Sequence, residues 1–555
     1  MALPDSPTPT RREVRVTTNQ APPLVGHNVV TADAALSEAV VRHAGQEVLD
    51  DLAALGAEAG AAEAREHGQL ANEHHPVLTP YDRYGNRIDE VTFHPSWHWL
   101  MERAVGHGLA ATPWEQQEAG SPHAHVRRAA GFMAWSHTEP GHGCPISMTY
   151  AAVPALRADD AVAKEWTPLL ASTTYDPGLR PAAQKRGALV GMGMTEKQGG
   201  SDVRANVTVA RPTSVDGEYT LHGHKWFTSA PMNDMFLVLA QTEGGVTCFV
   251  LPRVLPDGTR NQLDVVRLKD KLGNRSNASS ELEFDGTLAH RLGDEGRGVR
   301  TIIEMVAATR LDCVLGSASL MRRAVSEASW HAAHRSAFGS LLVDKPLMQN
   351  VLADLAVESE AATALALRLA SAVDRRHDPH EAALRRIALP LAKFWVCKRT
   401  PAHVAEALEC LGGNGYVEES VMPLLYREAP LNSVWEGSGN VNALDVLRAL
   451  GREPEVLAAW ITEVGLARGA DARLDRAVDD TLAMLGDTAG LEVAARRLAA
   501  RMALCLQGSL LVRHGSPEVA DVFCASRLGS SYDGVYGALD GGDLRTIVDR
   551  TLPVV

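Results

Sequence analysis

From Ala32 onward the apolar residues Leu36, Val40, Val48, Leu49, Leu52 and Leu55 recur at near-helical spacing. Helical patterning, interrupted by loops rich in Pro, Gly and His, continues to about residue 187. Ahead of it, residues 1–30 read as an extended arm, because Pro7, Pro9, Pro22 and Pro23 disfavour helix. Between about 188 and 295 the period falls to two. Tyr219 and Leu221 alternate with Thr220 and His222 just after the turn pair Asp216-Gly217, and the apolar runs Phe236–Leu239 and Val246–Val250 flank Gly244-Gly245. Long helical patterns return from 296 to 450: Ile302, Val306, Cys313 and Leu320 line one face, a second helix is predicted from about Leu347 to Arg375, and a third begins near His380, with a kink expected at Pro390. Residues 451–555 continue as helix.

The pattern predicts four segments: an N-terminal arm and helical domain (1–187), a middle β-domain (188–295), a helical bundle (296–450) and an additional helical domain (451–555). A length of 555 residues agrees with three or four domains at roughly 100–200 residues each. A β-domain set between helical layers creates junctions of the kind that hold cofactors.

Composition narrows the function. A net charge of −14 argues against constitutive binding to nucleic acid or to an anionic membrane. The seven cysteines are odd in number and have no CxxC spacing, so they read as small buried hydrophobes in a reducing compartment. The His-rich stretch that includes His74-His75, His123, His125, His137 and His142 repeats no ligand spacing, which favours loop and surface histidines over a metal site. Residues 1–30 hold no apolar core of a secretory signal, and no apolar run reaches about 18 residues, so a cytoplasmic protein without a membrane span is expected.

Three runs carry candidate chemistry. In Gly191–Asp202, Gly199-Gly200 permits close backbone approach to a ligand, while Met194, Thr195 and Ser201 line the turn; a Gly-rich entry into a strand would look the same. In Gly223–Ser229, Phe227 with Thr228 and Ser229 places a ring and hydroxyls where a flat cofactor could lie, or else forms part of an ordinary aromatic core. The third run joins Gly412-Gly413 to Val434-Trp435-Glu436-Gly437-Ser438-Gly439-Asn440. A carboxylate beside an indole is partly desolvated and so suited to proton abstraction; alternatively Glu436 caps a helix beginning near Val441.

Taken together, MTEKQGGSD (194–202), the strand ending Phe227-Thr228-Ser229, KLGNRSNAS (271–279), Leu411–Tyr416 and VWEGSGN (434–440) resemble the acyl-CoA dehydrogenase family, and in wording its bacterial alkylation-response branch. The resemblance spans nearly the whole chain, including Phe93–His98 and the extra C-terminal residues. It implies a mainly α fold with an inserted β-domain: a helical N-domain, a β-barrel-like middle domain, a helical bundle and an extra C-terminal helical domain. It further implies FAD held by Met194, Thr195, Gly200, Ser201, Phe227, Thr228 and Ser229, with Val434, Trp435, Gly437 and Asn440 closing the site. Arg335, Phe338, Gln349, Gly412 and Gly413 would reach the FAD of a neighbouring subunit in a homotetramer. Two departures stand out: the interval before Gln349 is longer than the family's, and Glu409 replaces an adenine-side glutamine.

The chemistry implied is α,β-dehydrogenation of an acyl-CoA-like thioester, with backbone N–H groups polarising the carbonyl and an electron acceptor reoxidising the flavin. Glu436 is the base implied, because the position of the family's alternative base is occupied by Thr309. The branch also implies weak or specialised dehydrogenase activity and an association with the DNA alkylation response through double-stranded DNA bound by the last domain. Residues 451–555 carry 11 Arg, no Lys and 15 acidic residues, so only the cluster Arg496, Arg497 and Arg501 offers phosphate contacts. The alternatives are a DNA-associated protective protein with a non-dehydrogenase flavin and a flavin-dependent monooxygenase.

Overall fold

The computed structural model describes residues 19–555 except 487–489 and 530–533. The first 18 residues of the arm therefore lie outside the described residues. The N-terminal helices are α1 (Ala34–Ala44), α2 (Gln46–Ala59) and α3 (Ala62–Glu73). They are followed by a hairpin that the helical reading did not foresee, β1 (Val77–Tyr81) and β2 (Arg87–Thr92). Its turn is built by the Asp82 carboxylate, which accepts the amides of Tyr84 and Asn86, while Gly85 adopts φ +86°. Helices α4 (Pro95–Gly106), α5 (Thr112–Glu118), α6 (Ala124–Trp135), α7 (Gly143–Leu156) and α8 (Asp160–Leu170) complete this layer.

The β-domain contains β3 (Val190–Thr195), β4 (Val209–Pro212), β5 (Glu218–Ser229), β6 (Met235–Thr242), β7 (Gly245–Pro252), β8 (Leu263–Leu268) and β9 (Ser279–Leu292). The order is β3-β5-β4-β6-β7-β9-β8, with further β3–β6 and β5–β9 pairings that fold the sheet back on itself. Both sequence-read hairpins are present, β4–β5 and β6–β7. Strand β6 shows how the domain is fixed to its neighbours. Phe236, Val238 and Ala240 fill the interior of the β-domain, whereas Met235, Leu237 and Leu239 join the helical core on the opposite face. A strand buried on both faces locks register, because a one-residue slip would exchange the two sets.

Three long helices follow: α9 (Gly298–His334), α10 (Pro346–Asp374) and α11 (Pro379–Cys410). Helix α11 is one continuous element through Pro390 and Pro401. The short α12 (Gly413–Tyr416) and α13 (Met422–Glu428) lead to α14 (Gly439–Arg452). The last region contains α15 (Pro454–Gly465), α16 (Ala472–Met484), α17 (Leu491–His514), α18 (Pro517–Phe523) and α19 (Leu544–Asp549). It is tied to the bundle by buried ion pairs, Arg368 with Glu381 and Glu463, and Arg527 with Asp354 and Glu358. Among the described residues no helix is long and apolar enough to cross a membrane.

Candidate active site

The 434–440 loop connects a 3₁₀ turn to α14. Glu436 has φ +56°, one of six non-glycine residues with positive φ among those described, and Gly437 has φ +95°. Left-handed backbone at a glutamate stores strain and persists only when its surroundings hold it. Here they do. The Arg310 Nε–H donates to the Glu436 carbonyl (3.0 Å), and the same guanidinium pairs with Asp445 (2.8 Å). Lys393 Nζ (3.1 Å) and Asn442 Nδ2 (2.6 Å) both donate to the Gly437 carbonyl. A side chain at Gly437 would collide with Val441. The indole of Trp435 donates to Asn432, which in turn reaches Ser317 on α9.

The Glu436 carboxylate does not cap α14. Ser438 is the N-cap residue of α14 and makes no side-chain cap, and Glu436 Oε2 instead accepts the Thr309 hydroxyl (2.7 Å) from α9. Burial pushes the Glu436 carboxyl above its ordinary range, while Thr309, Lys393 and Arg310 pull it back.

The β-domain presents the other wall. Thr195 pairs with Phe227 across β3 and β5, and the Phe227 ring is 51% exposed. Its neighbour Trp226 lies under the Lys269 ammonium at 3.5 Å. Gly200 packs so closely on Thr195 that a Cβ would strike the hydroxyl, and Ser201 stands exposed at the tip of the same turn. Met194 is half-buried, its carbonyl bound by Asn206 (3.2 Å). Thr228 is buried with an unpartnered hydroxyl oxygen. The run is braced by Glu196, whose carboxylate meets Lys225 Nζ at 2.6 Å in a fully buried pair and accepts the Val207 amide.

Cys144, at the start of α7, joins the two walls. Its buried thiol lies within electrostatic reach of Ser229, Glu436 and Lys271, and burial pushes it up to about 12. Behind it, Glu428 accepts the Asn274 side-chain amide (3.0 Å) and is pushed up to about 7 by burial and by Glu139. The sequence reading missed Cys144, Arg310, Lys393 and Asn442 as parts of this site. KLGNRSNAS was noted only as a marker, yet it places Lys271 and Asn274 here.

Of the remaining predicted residues, Arg335 and the Gly412-Gly413 turn are brought together by Asn19 and Gln20. Asn19 accepts from Arg335 and from the Ser336 amide, and Gln20 accepts from Asn414 beside Gly412 and Gly413 (2.9 Å). Phe338 has φ +50° and is 99% exposed, and Tyr416 is 81% exposed. The Gln349 side chain turns back onto the Val343 carbonyl (2.9 Å). Val434 and Asn440 are exposed at the loop. Arg496 and Arg497 are exposed on α17, Arg501 is half-buried, and Arg496 lies over Phe394 (5.8 Å) near Lys398, which packs on Gly439.

A β-domain clasped between helical layers, with a strained glutamate loop on one side and an aromatic strand on the other, defines an acyl-CoA dehydrogenase fold, and sequence comparison agrees. Residues 191–287 match the acyl-CoA dehydrogenase middle domain, 296–451 its C-terminal domain, and 19–177 the adaptive response protein AidB N-terminal domain. The chain belongs to the acyl-CoA dehydrogenase family and, within it, to the AidB type. It is 48% identical to AidB of Escherichia coli K12 over 510 residues, covering 91% of this chain and 93% of that protein. It is 31% identical to acyl-CoA dehydrogenase family member 11 of Caenorhabditis elegans, covering 82% and 78% of the two chains. The crystal structure of C. elegans ACDH-11 in complex with C11-CoA superimposes with a TM-score of 0.83 at 26% identity, covering 99% of this chain and 97% of that one.

Proposed function

We propose that this chain is an FAD-dependent oxidoreductase that removes two hydrogens across the α,β bond of an acyl-CoA, with Glu436 as the base. The carrying observation is the Glu436 carboxylate, held by strained backbone and one hydroxyl opposite the Phe227–Ser229 strand. The residues present fit FAD: the exposed Phe227 ring offers a flat face and the unpartnered Thr228 hydroxyl a polar contact, while Gly200 packs tightly on the Thr195 hydroxyl beside them. Met194, Thr195, Ser201 and Ser229 would hold the cofactor, and Val434, Trp435, Gly437 and Asn440 would close over it.

FAD bound there supplies the acceptor for the β-hydride. Glu436 takes the α-proton. Thr309 occupies Oε2, which leaves Oε1 to receive it. Burial raises the basicity of the carboxylate, while Lys393 and Arg310 keep its ionised form accessible. An acyl-CoA substrate is supported by the C11-CoA bound to the ACDH-11 relative. An external electron acceptor would complete turnover.

The exposed apolar residues Phe338 and Tyr416 sit in one patch with Arg335 and Asn414, which supports a homotetramer in which this patch, with Gln349, Gly412 and Gly413, covers a neighbour's FAD. The test of the central reading is anaerobic titration of the FAD-loaded protein with acyl-CoAs of graded length. Wild type is expected to lose its flavin absorbance and Glu436→Gln to keep it; bleaching of the variant at the wild-type rate would remove Glu436 as the base.

A second reading, duplex DNA binding by the last domain, rests on Arg496 and Arg497, which are exposed with no ion pair among the described residues. Salt-dependent duplex binding that disappears on replacing Arg496, Arg497 and Arg501 by Ala is its expected outcome, and its absence at low salt ends it.

A further inference from the structure

A cavity lies on the far side of α9 from Glu436. Thr309 and Arg310 turn toward the 434–440 loop, whereas Ala307, Ala308 and Leu311 of the same helix face a cavity of about 210 Å³. A 3.6-residue period separates these two faces. The cavity has an apolar floor completed by α10 and α11. One wall is aromatic and rigid. Trp114 and Tyr150 stack with centroids 5.3 Å apart, the indole donates to the Tyr150 carbonyl (2.7 Å), and the Tyr150 hydroxyl meets His125 (2.8 Å).

The charge around this cavity is one-sided. Arg157, Arg376 and Arg385 line it against one acid, Glu304, which stands exposed. Arg157 is paired with Glu118, outside the cavity lining. Arg376 lies 5.3 Å over the Trp114 ring, yet its Nη1 is buried without a hydrogen-bond partner, and Arg385 carries no ion pair among the described residues. A buried guanidinium donor left unmade is costly and normally has a partner. Two guanidiniums without an ion pair among the described residues, above an apolar floor, make a receptor for an anion with an apolar body.

We propose that this cavity binds a small amphipathic carboxylate, its carboxyl group bridging Arg376 and Arg385 and its ring or short chain lying against Trp114 and the Ala307–Leu311 face. A carboxylate matches the fork of a guanidinium, and an apolar body is needed to cover the floor. A bare inorganic anion would satisfy the arginines and leave the floor wet. The site is separate from the acyl-CoA site, because it opens from the opposite face of the helix that carries Thr309.

The test is isothermal titration of the full FAD-loaded chain with benzoate, octanoate and inorganic phosphate. Wild type, Arg376→Gln, Arg385→Gln and the cavity-filling Ala307→Leu are compared, each first checked by its flavin spectrum and thermal transition. The carboxylates are expected to bind and phosphate to bind far more weakly. Each arginine variant should weaken carboxylate binding about tenfold or more, the effect of losing a charge-assisted bond. Ala307→Leu should weaken it without any change of charge. Saturating acyl-CoA should leave the affinity unaltered. The proposal is overturned by no carboxylate binding to wild type, by wild-type affinity in all three variants, by phosphate binding as tightly as benzoate, or by acyl-CoA displacing the carboxylate.

Discussion

Two glutamates sit in the two Gly-rich motifs that mark this chain, and their surroundings differ in kind. Glu196 follows the strand β3 and meets Lys225 in a pair with no exposed atoms on either side chain. The ammonium and the Val207 amide outweigh burial and hold its carboxyl down at about 2. Among the described residues Glu436 has no cation in contact with its carboxylate. It receives one neutral hydroxyl from Thr309, its cations reach the backbone carbonyls beside it, and burial holds it above the ordinary range. A carboxylate neutralised by a contact cation is a brace; one without a contact cation, its basicity raised by burial, is available for proton transfer. Motif position alone does not separate these two cases.

The largest expected effect is catalytic. Glu436→Gln should lower the rate of flavin reduction by acyl-CoA by about 10²–10⁴-fold, the range of a positioned general base. Under the same stopped-flow conditions Glu196→Gln should change that rate far less among molecules that retain FAD. Equal losses in the two variants would erase the distinction.

The next effect is on stability and falls on the other residue. Glu196→Gln strands Lys225 in the protein interior, which should destabilise the fold by about 3–5 kcal/mol, read from urea denaturation. The double replacement Glu196→Leu with Lys225→Met removes both charges and should recover much of that loss. If the double variant is as unstable as the single one, the pair is needed for its hydrogen bonds to Val207 and Leu239 and not for charge balance.

How far the sequence revealed these two environments follows from chain distance. The β6 and β7 hairpin was legible because Phe236–Leu239 and Val246–Val250 carry both apolar faces within a few residues of Gly244-Gly245. The β1–β2 hairpin was not, because its strands are largely exposed and lack apolar alternation, although Asp82 and Gly85 held the turn chemistry. The 434–440 loop announced itself through Gly437, Gly439 and the carboxylate between them. Its partners did not: Thr309 lies 127 positions away, and Lys393 reads as one helix residue among many. Cys144 was legible only as a buried thiol, since its nearness to Ser229 comes from packing α7 on the β-domain. The alternative in which Glu436 caps a helix was reasonable from spacing and is excluded by where its carboxylate points.

A subtler contrast concerns the pH dependence of turnover. Among the described residues Thr309 is the one hydrogen-bond donor to the Glu436 carboxylate, and it stabilises the ionised form. Thr309→Val removes that bond and leaves burial unopposed on this side, so the Glu436 pKa should rise. With the ionised form of Glu436 as the proposed base, the acid limb of the kcat/KM profile should move to higher pH. Thr309→Ser should keep the wild-type limb. A limb unmoved in the valine variant would mean that Lys393 and Arg310 set the ionisation without help from the hydroxyl.

The smallest effect tests the comparison by its sign. Glu436 has a raised folded pKa, so its contribution to stability is present in full at acid pH and is lost as pH rises above the ordinary carboxylate range through the folded value. Glu196 has a depressed one, so its contribution is present at neutral pH and is lost as pH falls from the ordinary 4.5 towards about 2. At pH 8, therefore, Glu436→Gln removes an unfavourable buried charge and should raise the thermal midpoint of the FAD-free protein, while Glu196→Gln lowers it. At pH 4 the gain from Glu436→Gln should shrink, because wild type is then protonated at that position. A catalytic carboxylate that destabilises its own fold is the expected signature of a residue kept for chemistry. A Glu436→Gln midpoint that falls at both pH values would place Glu436 with Glu196 among the braces.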